Sequence, residues 1–238
     1  MTWSILARDD AGRFGVAVAS RFFAVGALCV HTRRGVGALS TQALMNPLYG
    51  PRGIELLAQG RMPQQVIDEL TSADAGREQR QLHVLPAQGP AAAWTGSACV
   101  DWCGHRIGDG FSVAGNMLAG PAVIEATAQA FIDSQGSGLA ERLLAALAAG
   151  EAAGGDKRGK QAAALRIQGD EDWPQLDIRV DDHAEPVAEL ARLYTKSLER
   201  YQPFVACLAG RNDPVGVTDR AQIEARIERF QRERGGVH

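Results

Sequence analysis

Thr2 directly follows Met1 and opens an apolar run, Trp3-Ser4-Ile5-Leu6-Ala7-Arg8. Removal of Met1 would leave a hydroxyl and a free α-amine on one residue. An N-terminal amine can act as the general base for its own hydroxyl. Its ordinary pKa, about 7.7–8.0, leaves much of it able to accept a proton near neutrality. The chemistry this predicts is attack on a carbonyl by a threonine held at a strand end. Arg33-Arg34 sits between two predicted strands. It offers a cation for an oxyanion or a fork for a carboxylate, or else forms a solvated turn. Asn116, in Gly115-Asn116-Met117-Leu118, completes an oxyanion hole or caps a turn.

Asp156, Arg158 and Lys160 share the Gly-rich stretch Gly154 to Gln161. That stretch lacks the G-x-x-x-x-G-K-[ST] spacing of a phosphate loop and sits between a helix and a strand in the reverse order. A loop over a pocket is the expectation, not a nucleotide site. Cys99, Cys103 and His105 bring three metal-ligating side chains close in sequence. Their C-x-x-x-C spacing departs from C-x-x-C and no second cluster completes a tetrahedron. No metal and no cofactor are therefore expected, with zinc-dependent hydrolysis the minor alternative. In Asp181-Asp182-His183, Asp182 reads as the cap of the next helix.

These residues need elements to hold them. Residues 3–8 and 13–20 alternate apolar and polar about Asp9-Asp10-Ala11-Gly12, the pattern of a β-hairpin. Two further strands are predicted over 26–32 and 36–43, and helices over 53–59 and 63–73, the second opening on Pro63. A second hairpin follows over 79–85 and 91–95, then a loop over 96–110 and a short strand over 111–115. Helices are predicted over 121–134 and 139–149, strands over 162–168 and 175–180, and helices over 185–201 and 219–234. Strand groups separated by helix pairs predict an α+β arrangement with helices outside stacked sheets.

Composition sets the outer limits. The 238 residues are 45% hydrophobic and 22% charged, with a net charge of −3. That is ordinary globular composition, and it gives no basic footprint for nucleic acid. No apolar run of about 18 residues predicts a membrane span, and no basic-then-apolar leader is visible. Four scattered cysteines fit reduced thiols, so a cytoplasmic protein is expected.

Several segments together resemble one family. They are Thr2 to Asp9, Gly15 to Arg21, Gly35-Val36-Gly37-Ala38 with Thr41-Gln42-Ala43, and Asn46-Pro47 with Tyr49 to Gly53. Arg80-Gln81, Gly104-His105, Gly115 to Leu118, Ala152 to Gln161 and Arg179 to His183 complete the series. In this order the chain is similar to the domain-of-unknown-function family DUF1028, which belongs with the N-terminal-nucleophile (Ntn) hydrolases. The resemblance implies a four-layer αββα sandwich over residues 1–205. A helical extension over 206–238 would pack on it or on a partner subunit. It implies amide cleavage by Thr2, with Arg33 lowering the pKa of the amine.

The function expected is cleavage of a small, carboxylate-bearing amide, with a homo-oligomer as the assembly. Thr2, Arg33, Asn116 and Asp156 form the expected catalytic group. Ser20, Gln42, Asn46, Tyr49, His105, Arg158 and Lys160 are expected to line the substrate pocket. The competing expectation is a non-catalytic ligand-binding or assembly protein that keeps the fold.

Overall fold

The computed structural model describes residues 2–234; Met1, on whose removal the expected chemistry depends, lies outside them. Strand β1 (Thr2–Arg8) is central. It pairs antiparallel with β2 (Phe14–Ser20) on one side and β8 (Phe111–Leu118) on the other. β9 (Ala162–Gln168) and β10 (Leu176–Val180) extend the sheet beyond β2, and β7 (Trp102–Gly108) closes it beyond β8. The six-stranded order is β10-β9-β2-β1-β8-β7. A second antiparallel sheet runs β3-β4-β5-β6. Its strands are β3 (Val30–Arg33), β4 (Gly37–Ala43), β5 (Arg80–Pro86) and β6 (Ala92–Thr95).

Alternation along β1 assigns each face. Trp3, Ile5 and Ala7 point one way and Ser4 and Leu6 the other, and all five are fully buried. The Trp3 face meets α5 (Leu139–Ala152), which packs beside α4 (Pro121–Asp133). Gly150 makes this approach possible, since a Cβ there would come within 2.8 Å of the Trp3 indole nitrogen. The Leu6 face meets the second sheet. Leu6, Val16 and Val18 pack there against Ala38 and Leu85. Each such side chain contributes about 1.5–3 kcal/mol by leaving water. The outer face of the second sheet carries Leu39, Leu82 and Val84 against α2 (Tyr49–Ala58) and α3 (Pro63–Ser72).

Two predicted elements change. Residues 26–29, expected to be strand, belong instead to a short helix, α1 (Val25–Cys29), and β3 starts only at Val30. A short apolar run satisfies either period, and here packing against β9 decides. The predicted loop over 96–110 contains β7. β7 is an edge strand with no buried residue, so little apolar composition is required of it.

The chain divides into two compact units, the first ending at Leu190 and the second beginning at Ala191. Helix α6 (Pro186–Glu199) spans that boundary. In the second unit, α7 (Tyr201–Val205) packs with α8 (Arg220–Glu233), whose N-terminus is capped by Asp219. Among the described residues no helix is long and apolar enough to cross a membrane.

Candidate active site

The space between the two sheets is apolar at one end and polar at the other. The polar half is built by alternate positions of five strands. These are Thr2 and Ser4 of β1, Ser20 of β2, Ser40 and Gln42 of β4, Gln81 and His83 of β5, and Ser112 and Asn116 of β8, all buried. The register places Thr2 opposite both Ser20 and Asn116. Thr2 Oγ1 lies 3.1 Å from Ser20 Oγ.

Behind this pair runs a continuous hydrogen-bonded network. Ser4 Oγ donates to Gln42 Oε1 at 2.6 Å and sits 2.9 Å from His83 Nε2. His83 Nδ1 meets Ser112 Oγ at 3.0 Å. Burial, reinforced by the nearby charge of His105, pushes the His83 pKa down to about 3, so the ring is neutral near pH 7.

A second group closes the sheet at the same end. Leu118, two residues past Asn116, forms an antiparallel bridge with Asp156. The Asp156 carboxylate is inaccessible to solvent. It accepts from the backbone N–H of Arg21 at 3.0 Å and of Arg158 at 2.7 Å. The Arg158 guanidinium lies 3.6 Å away. Lys160 pairs with Glu151 at 3.3 Å and also with Glu185.

A cleft of about 350 Å³ opens beside Asn116, lined also by Ala43, Leu44, Gln79, Cys99, Val100 and Met117. None of the described residues lining it is charged. Two of its walls are strained. Ala43 and Met117 hold left-handed backbone, with φ of 68° and 53°. Each such residue costs on the order of 1–3 kcal/mol, and such strain gathers at functional sites.

The structure thus brings together Thr2, Ser20, Asn116, Asp156 and Arg158, with Gln42 joined to Asn116 through Gln81 and Lys160 next to the Gln161–Ser20 backbone bond. His105 is more remote, its Nδ1 bound to Thr95 Oγ1 at 2.9 Å.

Arg33 is not brought to Thr2. Its guanidinium pairs with Glu55 in solvent. Arg33 stands opposite Gly37, and Gly37 opposite Pro86, whose carbonyl binds Arg8. That is the far end of β1, about 20 Å from Thr2 at the rise of a strand. Arg21, next to Ser20, is a cation that the fold does place near the site, together with Arg158, and its guanidinium binds the Arg158 carbonyl.

Asn46 and Tyr49 are also elsewhere. Both donate to Asp74 Oδ2, at 3.2 and 2.8 Å, as does Arg80 at 3.1 Å. Burial opposes charge on Asp74, but these bonds and the Gly76 N–H win and hold its carboxyl well below the usual range. The pair lines a separate cavity of about 450 Å³ against α2 and α3. Tyr49→Phe is accordingly expected to lower stability by about 1 kcal/mol in urea denaturation while leaving turnover unchanged. A selective loss of turnover would return Tyr49 to the chemistry.

Cys99, Cys103 and His105 do not converge. Among the described residues no group of three or more His, Cys, Asp or Glu side chains is arranged to hold a metal. Sequence reasoning passed over Ser4, Ser40, Gln81, His83 and Ser112. The signal available was polar residues at alternate positions of strands otherwise apolar on both faces.

A family model described as "Family of unknown function (DUF1028)" matches residues 2–190. The crystal structure of protein SPO2555 from Silicibacter pomeroyi, of the same family, is 30% identical with a TM-score of 0.84. That match covers 92% of this chain and 99% of the other. Anbu (ancestral beta-subunit) from Yersinia bercovieri matches at 13% identity over 82% of this chain and 94% of its own. Its TM-score of 0.36 is too low to argue from. No curated protein matches the chain.

Proposed function

Because the chain belongs to the DUF1028 family, whose name assigns no chemistry, we propose a function from the site itself: hydrolysis of a small amide by the Thr2 hydroxyl. The α-amine, freed by loss of Met1, is its base. We infer the four-layer αββα sandwich of the Ntn hydrolases, with α4 and α5 outside the larger sheet and α2 and α3 outside the smaller.

One observation carries the reading. Thr2 starts the central strand at the polar end of the inter-sheet space, its hydroxyl 3.1 Å from Ser20 Oγ and its neighbour Asn116 lining a cleft. Thr2 is flanked in the sheet by Ser20 and Asn116, and the Leu118–Asp156 bridge lies just beyond Asn116.

The Thr2 oxygen adds to the carbonyl carbon while its proton passes to the amine. The amine returns that proton to the leaving nitrogen, and water releases the acyl group from Thr2. Ser20 orients the hydroxyl. Asp156 acts as a positioning residue, because it holds the N–H of Arg21 next to Ser20.

Peptide mapping after a brief incubation with amide and an acid quench tests this. The fragment Thr2–Arg8 should gain the mass of the acyl group. Turnover with no adduct on that fragment rejects the mechanism.

A further inference from the structure

The direction of the Asn116 side chain is set by a chain of amides. Gln81 Nε2 donates its two hydrogens to the carbonyls of Gly104 and Gly115, at 3.0 and 2.8 Å, and lies 2.9 Å from Thr95 Oγ1. A backbone carbonyl only accepts, so the nitrogen of Gln81 must face these groups. Its Oε1 therefore faces the opposite way. There it receives Gln42 Nε2 at 2.8 Å and Asn116 Nδ2 at 3.0 Å. Turning Asn116 over would set oxygen against oxygen. Gln42 is pinned in the same sense, because Gln81 Oε1 can only accept from its Nε2, which leaves its Oε1 to Ser4 and Ser40.

The consequence is a buried acceptor on a residue that lines the cleft. Asn116 is 1% exposed, and its Oδ1 is buried with no hydrogen-bond partner among the described residues. Asn116 also lines the 350 Å³ cleft. A buried carbonyl oxygen without a donor is an unmade bond that a ligand N–H can supply. The oxyanion role expected for Asn116 would call on the second N–H of its Nδ2, since Gln81 takes the first.

We propose that this cleft takes an uncharged primary amide. Its –NH2 donates to Asn116 Oδ1, its body lies against Ala43, Leu44, Val100 and Met117, and Gln81 is the positioning residue. The absence of charge in the described lining sets the cleft against a carboxylate, which would be buried without a partner. The carboxylated substrate expected from the sequence is thereby replaced with a neutral one.

The reaction step rests on the amidohydrolase reading; the binding preference does not. In that step the Thr2 Oγ1–carbon bond forms and the carbon–nitrogen bond breaks. The –NH2 leaves as ammonia, carrying the hydroxyl proton relayed by the α-amine. Water then splits the ester, giving the carboxylic acid and restoring Thr2.

Binding of hexanamide, methyl hexanoate and hexanoate to the Thr2→Ala protein, measured by calorimetry, tests the proposal without turnover. Hexanamide should bind at least about tenfold tighter than either analogue. Adding Gln81→Met should collapse that ratio towards one, because Asn116 can then turn. Adding Asn116→Ala should do the same without disturbing Gln81's bonds to the glycine carbonyls. Equal binding of the three compounds, no binding of hexanamide, or a ratio that survives both variants overturns the proposal. Amide preference without turnover in the unmodified protein would reject the amidohydrolase reading alone. An acyl adduct on Thr2 without amide preference would reject the cleft assignment alone.

Discussion

Thr2→Ala should lower amide turnover by at least about a thousandfold, whereas Thr2→Ser should keep measurable activity. Removing a nucleophile eliminates the covalent route itself, and losses of such size are usual for groups that act as a unit. The fold gives little reason for an indirect effect. Thr2 sits at the end of β1, and among the described residues its side chain makes one hydrogen bond, to Ser20. Losing that bond costs about 1 kcal/mol, a small share of a domain's stability. A thermal melt of the variant should therefore stay within a few degrees of the parent. Serine keeps the oxygen and the amine and loses only a methyl group. Turnover unchanged in Thr2→Ala, against any amide the parent cleaves, would exclude Thr2 from the mechanism.

Acidification from pH 6.5 to 4 should remove about 3 kcal/mol of stability through His83 alone. The unfolded imidazole takes up its proton near pH 6.5. In the folded protein burial, aided by the charge of His105, delays this to about pH 3. Between those values the unfolded state binds more protons, so stability falls with pH by about 1.4 kcal/mol per unit. Above pH 6.5 the term vanishes, since the ring is neutral in both states. Half-buried His31, lowered mainly by its own burial, adds a term of the same sign. Asp74, held low by its hydrogen bonds, loses its contribution only below its unfolded value of about 3.9, outside this window. His83→Gln retains hydrogen-bonding capacity towards Ser4 and Ser112 without a titrating group. Urea denaturation at pH 7, 5.5 and 4 should show a steep slope in the parent and a shallower one in the variant. Parallel slopes would mean that His83 is not buried as described.

The two sheets were largely legible in the sequence because strand alternation is local. Thr2–Arg8 and Phe14–Ser20 declare their faces by period two, and Asp9 to Gly12 declares the turn between them. Helices α4 and α5 were legible for the same reason, through stripes such as Val123, Ile124, Ala128 and Phe131. Residues 26–29 were not, since four apolar residues fit a strand or a single helical turn. Nor was β7, whose partner β8 supplies the hydrogen bonds that its own composition does not advertise.

What the sequence by itself determined was most of the elements, α1 and β7 excepted, and the presence of a threonine at the head of the central strand. Which polar residues share a site was decided only in three dimensions. Arg33 and Thr2 are near in sequence, yet the strands carry them to opposite ends of the sheets. Asp156 is far from Arg21 in sequence, yet its carboxylate binds that residue's N–H. The direction of Asn116 is settled further away still, by the carbonyls of Gly104 and Gly115 acting through Gln81. Periodicity is a property of neighbours along the chain. Hydrogen-bond direction inside a dry core depends on every group that the fold brings into contact, and no local pattern records it.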